Sequence, residues 1–424
     1  MTGPPSPIGV PIRRQLGNGA VVLVKRTTTT PAVTINASFR AGAVCDPPGK
    51  EGLAHFVSRT IDRGTSARTV DQLSDALDGR GVTLSATINR HALSLVSTCL
   101  AEDFDAILRL LLEVSTSPTF PEEEVDTRRR EIVTLIRQDD DTPGTVALER
   151  VMRLLYGETH PYGRPPRGTV DSVLRLRRSD LMDFVSARVV PSTLVLAIVG
   201  DVDPDRALAL AASLLDSLPR GAAMPLLEPS IPRPAGRRDE FIAMPGKVQA
   251  DVAVGFVAVA RADPAYESYW VMNTILGQYA LGGRLGARIR ERQGMAYYVS
   301  SAFEAADVPG PLLIRAGVDP GNVGSVLAAV DEELRAFIAE GPSDRELREA
   351  TQYMVGSLPR RLETNAGIAS FLQTVEFFGL GLDYDRRMAG LLASVTRDAV
   401  QAAAARLDPD QATVVVAGPP EARP

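Results

Sequence analysis

The segment FDAILRLLLEVSTSPTFPEEEVDTRRREI, residues Phe104–Ile132, resembles a later segment, VGSVLAAVDEELRAFIAEGPSDRELREAT, residues Val323–Thr351. Each combines an apolar helical period with a proline-containing turn and the polar start of a second helix. Setting Val125 against Leu347 aligns them at an offset of 222 residues. Self-similarity at a fixed offset indicates duplication, so the sequence predicts two related αβ domains.

Strand-like segments, most of them with period-2 alternation and one, STLVLAIVGDVDP, a continuous buried run, accompany these helices in both halves of the chain. The first half contains GNGAVVLVKR, PAVTINASFRAG, VTLSATINRHALSLVSTCL and STLVLAIVGDVDP, and the second contains DVAVGFVAVA, MAYYVSSAFEA, GPLLIRAGVD and ATVVVAG. Alternation of this kind is typical of antiparallel sheets that bury one face under helices. We therefore expect an α+β protein in which two duplicated domains, each a mainly antiparallel sheet covered by helices, face each other across a chamber.

The domain boundary is predicted from a proline-rich stretch. Residues 219–238, PRGAAMPLLEPSIPRPAGRR, hold five prolines and almost no periodicity, which is typical of an extended linker. A chain of 424 residues is too long for one ordinary core. The predicted organisation is an N-terminal domain over 1–218, a linker over 219–238 and a C-terminal domain over 239–424.

Composition excludes several classes of function. The net charge is −6 and the basic residues are scattered, so we expect neither a nucleic-acid partner nor a membrane surface as partner. The only cysteines, Cys45 and Cys99, form no disulfide framework and suit a reducing compartment. The sequence shows no secretory h-region. The expected location is the cytoplasm, or the periplasm if the natural protein carries a leader that this sequence lacks.

Five segments then point to a family. They are LGNGAVVLV (Leu16–Val24), FRAGAVCDPPGKEGLAHF (Phe39–Phe56), GETHPYGRPPRGTVDSV (Gly157–Val173), LVLAIVGDVDPDRAL (Leu194–Leu208) and GGRLGARIRERQGMAYYVSS (Gly282–Ser301). In this order they resemble signatures of the insulinase, or M16, family of zinc peptidases in its short, M16B-like two-domain form. The resemblance extends from about Leu16 to Gly418.

The zinc site of that family is the inverted motif H-x-x-E-H on a helix, completed by a glutamate from a later helix. The two imidazoles bind the metal and the first glutamate is the general base for the metal-bound water. Here the first position is His55, but Ser58 stands at the base position and Arg59 at the second histidine. A guanidinium has no lone pair to donate and repels a dication, so we expect this chain to hold no metal.

The distal glutamate is also replaced. The usual family spacing, about 76 residues beyond the second histidine, places that ligand at Leu135. Glu131 lies one helical turn earlier, and a shift of one turn moves a carboxylate by about 6 Å along the helix. His55, Ser58, Arg59 and Leu135 are therefore interpreted as a degenerate zinc site, and no catalytic residue is expected in this chain alone.

The second half of the chain, unlike the zinc motif of the first half, keeps the residues that the family resemblance leads us to expect. In the family, the domain without zinc supplies an arginine and a tyrosine, spaced seven apart, that hold substrate over the metal; the matching residues are Arg290 and Tyr297. Some family members are heterodimers in which one subunit holds zinc and its sister supplies this pair. Mitochondrial processing peptidase, with one active and one inactive subunit, divides the work in a related way. The resemblance implies a zinc-bearing M16 homologue as partner, with the zinc in that partner.

A peptide or unfolded polypeptide is the implied substrate. The segment Val82–Asn89, VTLSATIN, matches the edge strand of the family, and its small side chains leave room for a guest strand. An extended peptide can bind such an edge through main-chain hydrogen bonds. Ser85, Ala86, Thr87 and Asn89 are the predicted peptide-pairing positions.

Three hypotheses remain open on the sequence. The first is the non-catalytic subunit of a heterodimeric zinc peptidase. The second is a scaffolding M16-like protein with no role in proteolysis, in which the Arg290 and Tyr297 side chains are dispensable. The third is an active peptidase, either with an atypical metal site built on His55 and Glu131 or acting as a homodimer.

Overall fold

The computed structural model describes residues 10–222, 231, 236–278 and 283–424. The strands are β1 Ile12–Gln15, β2 Val21–Arg26, β3 Ala32–Phe39, β4 Leu84–Ile88, β5 Leu93–Leu100, β6 Leu194–Gly200, β7 Arg238–Ala243, β8 Ala250–Val257, β9 Ala296–Phe303, β10 Pro311–Val318 and β11 Thr413–Gly418. The helices are α1 Leu53–Thr60, α2 Val70–Asp78, α3 Phe104–Thr116, α4 Glu122–Asp140, α5 Pro143–Tyr156, α6 Val170–Arg175, α7 Arg178–Arg188, α8 Pro204–Leu215, α9 Tyr266–Asn273, α10 Val323–Glu340, α11 Asp344–Arg361, α12 Asn365–Phe377, α13 Tyr384–Ala393 and α14 Arg397–Ala404. No helix in these described ranges is long and apolar enough to cross a membrane.

The first unit is built on a six-stranded sheet. Its strand order is β1-β2-β6-β3-β5-β4, and every pair is antiparallel except β2 with β6. The central strands β3 and β6 are almost wholly buried because α12 covers one of their faces. Gln373 on α12 donates from Nε2 to the carbonyl oxygens of Asn36, at 3.0 Å, and Val195, at 3.3 Å. Helix and sheet are thus joined by polar as well as apolar contacts.

The second unit repeats the same sheet with one strand fewer. Its order is β7-β11-β8-β10-β9, again antiparallel except for one parallel pair, β7 with β11. The strands correspond in order to β2-β6-β3-β5-β4 of the first unit. The helices α4 and α11 begin 222 residues apart, at Glu122 and Asp344, and α5 and α12 do so at Pro143 and Asn365. The predicted duplication and the α+β, mainly antiparallel class are confirmed.

The units are not continuous in sequence. One comprises Met1–Ile136, Pro165–Pro225 and Leu358–Arg386, and the other comprises Arg137–Arg164, Leu226–Ser357 and Arg387–Pro424. Helix α5 follows α4 along the chain but packs on β8 and β11, while its repeat α12 packs on the equivalent strands β3 and β6 of the first unit. Each sheet is therefore covered by a helix from the other half of the chain.

The predicted linker lies mostly outside the described residues, since 223–230 and 232–235 are not among them. Its described end, Arg238, already begins β7. The chain also passes between the two units near residues 136, 164, 357 and 386. Periodicity locates helices but does not show which sheet a helix covers, and for that reason these crossings were not predicted.

Candidate functional site

The helix that carries the degenerate motif, α1, is held in place at its start. Gly52 adopts φ +88°, and a Cβ there would lie 2.4 Å from the carbonyl oxygen of Arg167, so only glycine fits. The buried carboxylate of Asp46 accepts hydrogen bonds from the backbone N–H groups of Gly52 and Ala54, both at 2.8 Å. A carboxylate at this end also complements the helix dipole. The sequence around the motif thus still builds a fixed helix.

His55 occupies the first motif position as a half-buried side chain. Its Nδ1 atom is buried and has no hydrogen-bond partner among the residues that the structure describes. Burial, together with the positive charges of Arg167 and Arg59, lowers the pKa of His55 to about 4. The imidazole is consequently neutral at physiological pH, with one ring nitrogen unused.

Ser58 and Arg59 have structural partners of their own. The Ser58 side chain is 4% exposed, and its Oγ donates to the carbonyl oxygen of His55 at 2.7 Å. The Arg59 side chain is 46% exposed, and its Nη2 lies 3.9 Å from Oε2 of Glu131. Where the family resemblance places a base and an imidazole, this chain has a hydroxyl bonded to its own helix and a permanent cation.

The distal positions on α4 do not restore a metal site. Leu135 is 38% exposed, and its hydrocarbon side chain has no atom that can coordinate a metal ion. Glu131 Oε2 accepts from Arg128 Nη1 at 2.5 Å besides facing Arg59, so this carboxylate is paired with two guanidinium groups. Within the described part of the chain, no group of three His, Cys, Asp or Glu side chains could hold a metal. The residues at these positions do not fit the zinc ion that the family implies.

The predicted peptide-pairing segment lies at the edge of the first sheet. Among the described strands, β4 is the last in the sheet order and pairs with β5; Ser85 and Thr87 are exposed and Ala86 is half-buried. Asn89 differs from the prediction because the strand ends at Ile88. Its Oδ1 accepts from the backbone N–H groups of His91 and Ala92, both at 2.8 Å, and so shapes the turn to β5. Main-chain pairing at β4 stays a prediction.

In the second unit, Arg290 lies on a π-helix, Gly286–Arg292. Turns of this kind occur often at functional sites. The Arg290 side chain is 47% exposed, and Nε lies 3.8 Å from Oε1 of its neighbour Glu291. It borders a cavity of about 250 Å³. The other lining residues are Gly277, Gln278, Gly286, Tyr298, Val299, Ser300 and Ser301.

Tyr297 lies on a second irregular feature, a β-bulge in the edge strand β9. On β10, Val318 pairs with Ala296 and Gly317 pairs with Tyr298, so Tyr297 is the extra residue between the two pairs. Its side chain is 64% exposed. Bulges turn side chains away from the regular alternation and are frequent beside active sites. Helical and strand periodicities could not predict either the π-helix or the bulge.

Comparison with known proteins identifies the class. The family model for insulinase (peptidase family M16) matches residues 21–168, and the model for the peptidase M16 inactive domain matches residues 175–354. The chain belongs to the M16 peptidase family, as the resemblance implied.

Relatives and solved structures agree with that assignment. The chain is 27% identical to an uncharacterized zinc protease of Streptomyces coelicolor, over 97% of this chain and 90% of that protein. It is 27% identical to an uncharacterized zinc protease of Mycobacterium leprae, over 83% and 79%. A crystal structure of a peptidase M16 inactive domain from Pseudomonas fluorescens superposes with a TM-score of 0.89 at 26% identity, over 96% of this chain and 98% of that one. A Helicobacter pylori protease, at 18% identity and TM-score 0.89 over 97% and 100%, shares the fold.

Proposed function

We propose that this chain is a non-catalytic M16 subunit that pairs with a zinc-bearing M16 homologue to form a heterodimeric metallopeptidase. The observation that carries the proposal is a contrast between the two units. At the motif in the first unit, Arg59 faces Glu131 where zinc ligands would be needed. In the second unit, Arg290 and Tyr297 are both present and largely exposed. Loss of metal ligands together with an accessible assisting pair favours a subunit that completes a site held elsewhere.

The chemistry of the assisting pair suits this role. An arginine presents several N–H donors in a planar fork, which can bond the carbonyl oxygens of a peptide. A phenol O–H can donate to the oxyanion that forms when a peptide carbonyl is attacked. Among the residues that the structure describes, the ion-pair partner of Arg290 is Glu291, and the 3.8 Å separation of Nε and Oε1 leaves the guanidinium donors available to a guest. Substrate positioning by Arg290 and oxyanion contact by Tyr297 are the roles that we assign.

Peptide binding would use the edge strand β4. Its exposed Ser85 and Thr87 are small, and within the described part of the chain the strand has a neighbouring strand on one side only. Main-chain pairing at such an edge binds extended peptides with little dependence on their sequence. The proposed substrate is therefore an extended or unfolded polypeptide. We place the zinc ion in the partner subunit and the complex in the cytoplasm.

The test is reconstitution with a zinc-bearing M16 homologue from the same genome. Each chain alone and the equimolar mixture are assayed for cleavage of an unstructured fluorogenic peptide. We expect activity that requires this chain in the mixture and falls about 10²-fold with Tyr297→Phe, the loss typical of one oxyanion donor. Arg290→Ala should lower activity as well.

Matched controls come from the same unit. Arg292→Ala removes an exposed arginine from the same π-helix, and Tyr353→Phe makes the same chemical change on α11. Both should leave the activity of the mixture unchanged. A complex that forms but gains no activity supports the scaffold hypothesis. Activity of the purified chain alone, abolished by a chelator, supports an atypical metal site or a homodimer.

A further inference from the structure

Tyr298, the residue after the bulge, is anchored to a buried carboxylate two strands away. Its hydroxyl donates to Oδ1 of Asp251 on β8. The Asp251 side chain is 6% exposed, and its Oδ2 also accepts from Nε2 of Gln249 at 3.1 Å. The same carboxylate lies at the first turn of α5, where a Cβ on Gly144 would be 3.0 Å from Oδ1. The Asp251 carboxylate that accepts the Tyr298 hydrogen bond is therefore held on β8 and lies beside the start of α5.

A glycine on the intervening strand makes this reach possible. Gly317 on β10 pairs with Asp251 on one side and with Tyr298 on the other, so the three residues form one row across the sheet. A Cβ at Gly317 would lie 2.4 Å from Cε1 of Tyr298 and 2.6 Å from Nε2 of Gln249. Any side chain there would displace the ring. Glycine inside a strand commonly marks such a close approach.

The anchored row adjoins the bulge. The register of β9 on β10 changes between Gly317 and Val318, which is where Tyr297 is inserted. A one-residue slip in register would move side chains to the opposite face of the sheet. Since Tyr298 is the first residue after the insertion and is tied through its hydroxyl, the register there is determined by more than backbone hydrogen bonds. Tyr298 also lines the cavity that Arg290 borders.

We infer that the Tyr298–Asp251 hydrogen bond across Gly317 is a positioning device, which holds the bulge in register and so presents Tyr297. Its consequence for catalysis rests on the function proposed above. Tyr298 and Asp251 act through Tyr297 and are not assigned contact with substrate. Burial and the bond to Asp251 raise the pKa of Tyr298 to about 12, against the effect of the Arg315 guanidinium, so the phenol remains a donor at neutral pH.

The first test measures the bulge itself, without any partner subunit. Hydrogen exchange of the backbone amides of β9 is compared by mass spectrometry in the intact chain and in Tyr298→Phe, which removes one hydroxyl. We expect exchange in the segment 296–300 to accelerate about tenfold, as local opening becomes easier. Tyr353→Phe is the matched control and should leave β9 unchanged. Equal exchange in Tyr298→Phe and the unaltered chain would overturn the inference.

Three further variants examine the row. Gly317→Ala should accelerate exchange in the same segment, because the added methyl group displaces the ring. Asp251→Asn keeps an oxygen that can accept from the phenol, so it should preserve protection that Asp251→Ala loses. If Asp251→Ala does not fold, Tyr298→Phe is compared with Asp251→Asn, and protection of the segment should be lost in the first and kept in the second. Protection that is lost equally in both Asp251 variants would contradict an anchor made by this hydrogen bond.

The second test uses the reconstituted mixture and separates positioning from packing. Tyr298→Phe should lower kcat about tenfold with KM nearly unchanged, because a misplaced group loses transition-state contacts. In a double-mutant cycle, adding Tyr298→Phe to Tyr297→Phe should cause no further loss. An equal further loss in that background would refute action through Tyr297. If Tyr297→Phe itself has no effect, the proposed function fails, while the exchange experiment still decides whether the anchor holds the bulge.

Discussion

The pKa of His55 can be measured directly, and it tests our description of the buried, positively charged surroundings of the degenerate motif. The folded imidazole has a pKa of about 4 against an ordinary value of 6.5. Because one pKa unit corresponds to about 1.4 kcal/mol, the folded state would lose up to about 3 kcal/mol relative to the unfolded state at acidic pH. The ring is only half-buried, and solvent screening reduces the expected loss to about 2 kcal/mol.

The sign follows from the two pKa values of His55. Above pH 6.5 the side chain is neutral in both the folded and the unfolded state, so it does not make stability depend on pH. Between pH 6.5 and about 4 the unfolded chain takes up a proton that the folded chain does not, and stability falls as the pH falls. His55→Gln should remove this part of the acid destabilisation, as measured by urea unfolding at pH 7 and pH 4.5.

Imidazole NMR measures the same quantity site by site. The chain has three histidines, so three titration curves are expected, and the curve lost in His55→Gln is assigned. It should have its midpoint near pH 4, and Arg59→Ala should raise that midpoint because one of the two nearby cations is removed. A His55 titration midpoint near pH 6.5, or a midpoint that is unchanged in Arg59→Ala, would refute the electrostatic description of the motif.

Three further predictions concern the first unit. The triple variant Ser58→Glu, Arg59→His and Leu135→Glu restores the side chains of the zinc motif. After dialysis, atomic emission should find about one zinc ion per chain in the purified variant and none in the unaltered chain. Gln373→Ala removes two hydrogen bonds to carbonyl oxygens of the sheet and should lower the free energy of unfolding by about 1–3 kcal/mol in urea. Asp46→Ala deprives two amides at the start of α1 of their acceptor and should cost about 2 kcal/mol in the same assay, with Asp46→Asn costing less.

The sites were predictable to different extents. The changed positions Ser58 and Arg59 can be recognised from the motif alone, since residue type decides whether an atom can donate a lone pair. The role of Glu131 required coordinates, because its pairing with Arg59 depends on how α1 and α4 pack, although its other partner, Arg128, lies three residues earlier on the same helix. Alternation predicts a strand that includes Asn89, yet the Asn89 side chain forms local hydrogen bonds where the strand ends.

Sequence patterns alone identify the chain as a duplicated α+β protein of the M16 family in which Ser58, Arg59 and Leu135 stand at the positions of the zinc motif. These conclusions depend on periodicity, on an offset of 222 residues and on the chemistry of single side chains, all of which are local. The folded chain was needed to show which sheets α5 and α12 cover, and that Tyr297 lies on a bulge beside Tyr298, Gly317 and Asp251. A strand's register and a helix's packing partner depend on contacts between residues far apart in the chain, and no local pattern records those contacts.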